Sequence, residues 1–475
     1  MDNLETDHKF LQKSTLFGVV GTVLKICGPL LTFLLARIFG PAEFGFFVST
    51  QALLLTISHS STLGLDKGLY WFLPQNRLNG NKPYDGIMGS FWIATGIAFI
   101  STVIILILAF TGLVAGELSW YALALVFYSG SFVLSNTSEG NRKPQNAIFI
   151  NSFLVAVLSP LSSIAMHFAG IPHALPLGLL SGQVCGMAAH ALLVRRQFGD
   201  MPWKPDIYIS KKLLLYSLPL GLNEVVTSFI IRSALWMVML FLGAESAGAY
   251  AIMVTISNGV QTIRVSFNPI ITPVVAGMNK DRLQTDLKPV FTYCVRMVTL
   301  IQLVIAFFIV LFPGEVMSLA GKGFIRQPEA LGILLFMQIL MGFFDMSSTI
   351  INGIGKSLYT LKMNTVCLAV ALISGYFLIP RFGLVGAALS MFSQNLTSMI
   401  WNNIYLYKLR LWPYSLKLVP QLIWMLALLI LYIVLNCGTV EFVMWQKISI
   451  YAIIFAALGL QFSKQKNRNE TNKRR

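Results

Sequence analysis

Charged side chains are scarce in this sequence: Asp, Glu, Lys and Arg make up 11% of its 475 residues, while apolar residues make up 56%. Soluble domains carry about 25% charged residues, because their surfaces must be wetted. A water-facing surface for a chain of this size cannot be assembled from so few charges, which excludes a soluble enzyme or binding domain. Cysteine is scarce as well. The five, at positions 27, 185, 294, 367 and 437, are too scattered for a disulfide framework and form no CxxC pair. His59, His167, His173 and His190 are neither clustered nor four residues apart on one helix, so no metal centre is expected and no cofactor is assigned. A GxxxxGK[ST] phosphate loop is missing, which argues against ATP-driven transport within this chain.

Long apolar runs are abundant instead. About fourteen stretches of roughly 18–25 residues follow one another between Thr15 and Phe462, each long enough to cross a hydrocarbon layer about 30 Å thick. The expectation is an all-α polytopic membrane protein with about 14 transmembrane helices. The 37 Gly and 19 Pro agree with it, because spanning helices tolerate both. The opening MDNLETDHKFLQK mixes acids with bases and leads into an apolar run too long for a signal-peptide core, so it reads as a lead-in to the first helix.

Positive charge orients the chain. An even number of spans puts both termini on one side, and placing that side inward leaves only Arg37, Lys322, Arg326 and Arg381 in outer connections, against 26 Lys and Arg in inner ones. Cytoplasmic loops retain Lys and Arg, so both termini are expected to be cytoplasmic. This bias accounts for most of the net charge of +16 without nucleic acid. The basic tail reads as lying beside anionic membrane lipid.

The sequence also repeats itself. Gly40-Pro41-Ala42-Glu43-Phe44-Gly45 returns 203 residues later as Gly243-Ala244-Glu245-Ser246-Ala247-Gly248, each time between two apolar spans. Gly140-Asn141-Arg142-Lys143, followed by Asn151, has a counterpart in Gly355-Lys356-Ser357, followed by Asn364. Six spans between copies keep the halves in the same orientation, related by a pseudo-two-fold axis along the membrane normal. The expected division is an N-terminal lobe of six helices over 1–198, a basic cytoplasmic linker over 199–212, a C-terminal lobe of six helices over 213–407, and two further helices with a basic tail over 408–475.

On these motifs the chain resembles a known family. Leu35-Ala36-Arg37-Ile38-Phe39-Gly40-Pro41-Ala42-Glu43-Phe44-Gly45, Gly64-Leu65-Asp66-Lys67-Gly68-Leu69, Ser217-Leu218-Pro219-Leu220 and Gly383-Leu-Val-Gly-Ala-Ala-Leu389 resemble the oligosaccharide flippases of the multidrug/oligosaccharidyl-lipid/polysaccharide exporter superfamily. The resemblance covers essentially the whole chain. It implies two six-helix lobes around a central cavity and a place in the bacterial cytoplasmic (inner) membrane. Members often carry an acid in helix 7 shortly before its outer end, where this chain has Arg232.

Six ionisable residues fall well inside the expected spans: Lys25, Glu224, Arg232, Arg264, Arg296 and Asp345. Each costs at least about 2.5–3.5 kcal/mol to insert, so each should face a wet cavity or a partner. The cations Lys25, Arg232, Arg264 and Arg296 are the candidate substrate-binding groups, with Arg264 foremost, since its helix also offers Asn258, Gln261 and Asn268. Asp66, Lys67, Glu224 and Asp345 are candidates for coupling or gating, although Glu224 with Arg232, and Asp66 with Lys67, read equally well as structural pairs. A cavity richer in cations than acids concentrates an anion, and Arg suits bidentate phosphate contacts.

The function expected from residues and resemblance together is export of a polyprenyl-pyrophosphate-linked oligosaccharide by alternating access, for O-antigen, capsule or exopolysaccharide. Membrane lipids, a polysaccharide polymerase and a chain-length regulator are the expected partners. The rivals are a multidrug or cation antiporter on the same fold, a lipid II flippase, and, further off, a membrane glycosyltransferase or polymerase. The last needs catalytic carboxylates on a sizeable outer loop, yet the outer connections carry no Asp and only the scattered Glu43, Glu117, Glu245, Glu315, Glu329 and Glu441.

Overall fold

Apolar runs of this length fold as helices because hydrocarbon offers backbone groups no partner but each other. The computed structural model describes residues 27–78, 82, 84–141, 143–199, 201–204, 209–267, 287–353, 357–436 and 443–473, and among them finds helices and no strand. The main helices are α1 (Cys27–Ser61), α2 (Leu65–Leu78), α3 (Ile87–Phe110), α4 (Ala124–Gly140), α5 (Ala156–Phe168), α6 (Ala174–Gln197) and α7 (Lys211–Leu242). They continue with α8 (Ala244–Val265), α9 (Leu287–Leu311), α10 (Glu329–Phe344), α11 (Met346–Gly353), α12 (Ser357–Lys408), α13 (Val419–Asn436) and α14 (Met444–Lys473).

Nine described helical segments are long and apolar enough to cross a membrane, and two shorter apolar helices join them. The chain is a multi-pass, all-α membrane protein. Two of its helices are too long for one crossing. At 1.5 Å per residue the 52 residues of α12 would reach about 78 Å. Gly383 breaks that run, with φ 61° and ψ −133°. The Ser390 hydroxyl donates to the Ala371 carbonyl at 3.0 Å and lies 2.9 Å from the Ser374 hydroxyl. Nineteen residues of straight helix would separate 371 from 390 by about 28 Å, so α12 is a hairpin. In α1 the break is Gly40, φ 78° and ψ 171°. Its repeat partner Gly243, between α7 and α8, has φ 84° and ψ 177°. The repeated motif therefore repeats in backbone conformation as well. A count of fourteen crossings follows if both broken helices count twice and α8 is added, and it stands as a proposal.

The chain forms two compact units, Met1–Arg232 and Ser233–Arg475. The boundary lies inside α7, the helix that directly follows the basic connection 199–212, because the first part of α7 is seated on the turn between α1 and α2. In the first unit α4 is the hub, packed by α1, α2, α3 and α6; in the second α10 is, packed by α8, α9, α12 and α13. These are the fourth expected span of each half. Small residues set the closest approach in the first unit. A Cβ on Gly178 would stand 2.1 Å from the Ser163 hydroxyl, and one on Gly182 1.9 Å from that of Ser159, so α6 and α5 meet at their backbones. Pro160 and Pro219 lie inside helices, Pro313 opens a short helix, and Pro269 is outside the described residues.

Candidate functional site

Within the first unit a track of polar side chains runs through an apolar bundle. It starts where two of the motifs meet. Leu63 and Gly64, between α1 and α2, both have positive φ, 52° and 73°, so the chain turns sharply there. A Cβ on Gly64 would lie 2.3 Å from the Ser217 carbonyl oxygen, and one on Gly221 2.6 Å from the Leu63 carbonyl carbon. The Gly64-Leu65-Asp66-Lys67-Gly68 motif is thus the seat for the Ser217-Leu218-Pro219 segment of α7.

That seat places the charges. Asp66, in the first turn of α2, is 1% exposed and accepts from the Asn136 amide of α4 at 3.1 Å. Lys67 points the other way and is exposed. With Glu139, Asn136, Gln75, Trp71 and Tyr216 it lines a cavity of about 700 Å³. The Trp71 and Tyr216 rings stack at 4.3 Å, and Lys212 Nζ lies 5.6 Å from the Trp71 ring centre. Further along, the His59 ring stacks on Phe132 at 4.3 Å, and its Nδ1 lies 3.8 Å from the Glu224 carboxylate. Next come Arg232, half-buried, whose guanidinium reaches the Ser228 carbonyl at 3.4 Å, and Tyr128, whose hydroxyl accepts from Gln51 at 3.2 Å. Arg232 is within electrostatic reach of Glu224, Tyr128 and His59.

The second unit uses its charges differently. Arg264 of α8 donates to Asp345 at 2.8 Å, and both side chains are 8% exposed. Asp345 caps the C-terminus of α10 and also receives Ser348 at 3.4 Å and Asn402 at 3.5 Å. Beside it, the Tyr414 hydroxyl donates to the Asn403 side-chain oxygen at 2.6 Å. Burial raises the Tyr414 phenol well above its usual pKa, the Asn403 bond opposes that rise, and the Asp345 charge adds to it. Arg264, the foremost substrate candidate from sequence, is therefore committed to a buried pair. With it goes much of the expected cation excess, since Asp345 cancels it. Arg296 is half-buried on α9, and Lys25 lies outside the described residues.

The structure brings Asp66, Lys67, Glu224 and Arg232 into one track and joins Arg264 to Asp345. It adds His59, Asn136, Glu139, Trp71 and Tyr216, which sequence reasoning did not single out as site residues. The signal for Asn136 and Glu139 is their place within about one turn before the repeated Gly140 motif; nothing comparable marks His59. Among the described residues no group of three His, Cys, Asp or Glu is placed to hold a metal ion.

Comparison with known proteins adds family and fold. Residues 34–320 match the family described as polysaccharide biosynthesis protein. The probable multidrug resistance protein YpnP of Bacillus subtilis (strain 168) is 26% identical over 233 residues, which is 45% of this chain and 49% of that protein. The match thus spans about half the length of that curated relative. Among solved structures, the lipid II flippase MurJ in an inward closed conformation has a TM-score of 0.75 at 11% identity, covering 95% of this chain and 99% of that one. An inward-facing multidrug resistance MATE family transporter of the MOP superfamily has a TM-score of 0.65 at 15% identity, covering 83% and 98%. At such identities the likeness is one of fold. By their titles the two solved structures are a flippase and a transporter.

Proposed function

Because the chain belongs to the polysaccharide biosynthesis protein family and has the fold of the MOP flippase superfamily, we propose that it moves a lipid-linked oligosaccharide from the inner to the outer leaflet by alternating access. Its place would be the bacterial cytoplasmic membrane, with both termini cytoplasmic. The observation that carries this reading is the track of the first unit, where Lys67 is exposed on a cavity wall and Arg232 stays half-buried with no carboxylate in hydrogen-bond contact among the described residues. A charge held within a membrane span without a tight partner is costly, which applies to the half-buried Arg232, and a pyrophosphate head would supply the counter-charge. Arg232 binds one phosphate in this proposal and Lys67 receives the head at the basic end. The stacked Trp71 and Tyr216 offer flat apolar faces to sugar rings, while Gln75, Asn136 and Glu139 pair hydroxyls that would cost several kcal/mol each if left bare in hydrocarbon. Membrane lipids, a polymerase and a chain-length regulator complete the proposed set of partners.

The test is appearance of lipid-linked glycan in the outer leaflet of a strain that lacks its own flippase. Arg232→Ala should lower it at least about tenfold at unchanged protein level, and Arg232→Lys should restore only part, because the bidentate fork is lost. Full activity of Arg232→Ala would refute the assignment. Loss of cationic-drug efflux in that variant, with glycan export intact, would favour the multidrug reading that the relative YpnP suggests.

A further inference from the structure

The repeat copies a glutamate into both outer hairpins, Glu43 and Glu245, and the two units treat it differently. In the second unit the Glu245 carboxylate accepts from the Arg326 guanidinium at the protein surface. In the first unit Glu43 instead lines a cavity of about 290 Å³, together with Phe39, Glu117, Tyr121, His167 and His173. No lysine or arginine lines it. Arg37, the cation nearest in sequence, is exposed and is not part of the wall. The cavity sits at the end of α4 away from Lys67 and Glu139.

Its wall holds a polar group with nothing to bind. Tyr121 is 3% exposed, its ring fixed against Phe46 and Phe47 at 6.0 and 6.2 Å. Among the described residues its hydroxyl makes no hydrogen bond, although it lies within the electrostatic reach of Glu117 and Glu43. The ring is buried while the hydroxyl opens onto the cavity beside the two carboxylates. Aromatic rings surround the same space. Phe39 lies 4.7 Å from the His167 ring, and His173 is stacked on Trp120 at 5.0 Å.

We propose that this cavity binds an organic ammonium cation. Glu43 and Glu117, both exposed, stand in a concave site that has no lysine or arginine and only the imidazoles of His167 and His173, and such a field concentrates cations. Aromatic faces attract an ammonium group through their quadrupoles, and the Tyr121 oxygen is a further acceptor. The volume suits a headgroup of a few heavy atoms rather than a glycan. Among the described residues no three acidic or imidazole side chains come together as a metal-ligand set, and the aromatic wall suits an organic cation. A zwitterionic lipid head is disfavoured, because its phosphate would meet the same two carboxylates. The site owes nothing to the transport reading above and stands whether or not that reading does.

Choline is a suitable probe, with its neutral isostere 3,3-dimethylbutan-1-ol and with phosphocholine as comparisons, on the full chain purified in a maltoside detergent and followed by calorimetric titration. Choline should bind saturably, and the neutral alcohol and phosphocholine at least about tenfold more weakly. Glu43→Gln and Glu117→Gln should each weaken choline at least about tenfold at unchanged melting temperature, and Tyr121→Phe by a smaller factor. Glu245→Gln, the copy already met by Arg326, should leave it unchanged, and so should Lys67→Gln and Arg232→Gln, which separates this site from the glycan track. Equal binding of the alcohol, tighter binding of phosphocholine, no saturable choline binding, or full choline affinity in the Glu43→Gln/Glu117→Gln double variant would each overturn the proposal.

Discussion

In the unit Ser233–Arg475 the two charges at the C-terminal ends of α8 and α10 meet at 2.8 Å, with both side chains 8% exposed and Asn402 and Ser348 closing on the carboxylate. In the unit Met1–Arg232 the nearest equivalent is looser. Asp66 is held by an amide rather than a cation, and Glu224 stands 3.8 Å from His59 with 30% of its side chain exposed. The repeated hairpins differ in the same sense, Glu245 paired to Arg326 and Glu43 open to a cavity. One helical plan, hub for hub, thus carries two electrostatic states. A unit whose charges are paired is fastened, and a unit whose charges are left short of partners is a place for ligands.

The largest expected effect tests the fastening. Removing one member of a buried ion pair leaves the other uncompensated and costs about 3–5 kcal/mol. Arg264→Ala and Asp345→Asn should each lower the melting temperature sharply in detergent, whereas the double change Arg264→Met/Asp345→Leu should recover much of the loss. Glu224→Gln, a third exposed, should cost under about 1 kcal/mol. Equal losses for Asp345→Asn and Glu224→Gln would break the comparison.

A second, smaller contrast lies along α7. A Cβ on Gly221 would fall 2.6 Å from the Leu63 carbonyl carbon and 2.7 Å from the Gly64 nitrogen, both backbone atoms that cannot move aside. A Cβ on Gly375, in α12, would fall 2.5 Å from the Met237 sulfur of α7's later half, a flexible side chain. Overpacking costs about 1–3 kcal/mol where nothing yields, and Met adapts readily. Gly221→Ala should therefore lower the melting temperature and impair export, while Gly375→Ala should do neither. Similar behaviour of the two variants would show that α7 is not seated more firmly at its start.

Much of this architecture was legible in the sequence. Apolar length gave the helices, and the Gly40 and Gly243 motifs marked the repeat, because a glycine-only backbone conformation leaves a residue-level trace. The Gly64 and Ser217 motifs were also visible, but not that they touch, since a contact across some 150 residues has no periodic signature. The partner of Arg264 is hidden for the same reason: Asp345 lies 81 residues away on another helix. Spans reveal that a buried charge needs company and never which company it keeps. The cavity around Glu43 was less legible still, because its walls come from four separate helix ends.

The smallest expected difference concerns the hairpin glycines themselves. Gly40 and Gly243 have φ 78° and 84° with ψ 171° and 177°, a region that is essentially reserved for glycine and costs a side chain about 1–3 kcal/mol. Neither site adds a steric term, because a Cβ at either meets nothing within 4 Å. The cost of alanine is then backbone strain alone, and the strain is the same in both units. Gly40→Ala and Gly243→Ala should lower the melting temperature by equal amounts within error, even though one hairpin borders the open acidic cavity and the other ends at the Glu245–Arg326 pair. A clear inequality would mean that the surroundings, and not the shared turn, hold these hairpins, and the correspondence between the units would then stop at the sequence motif.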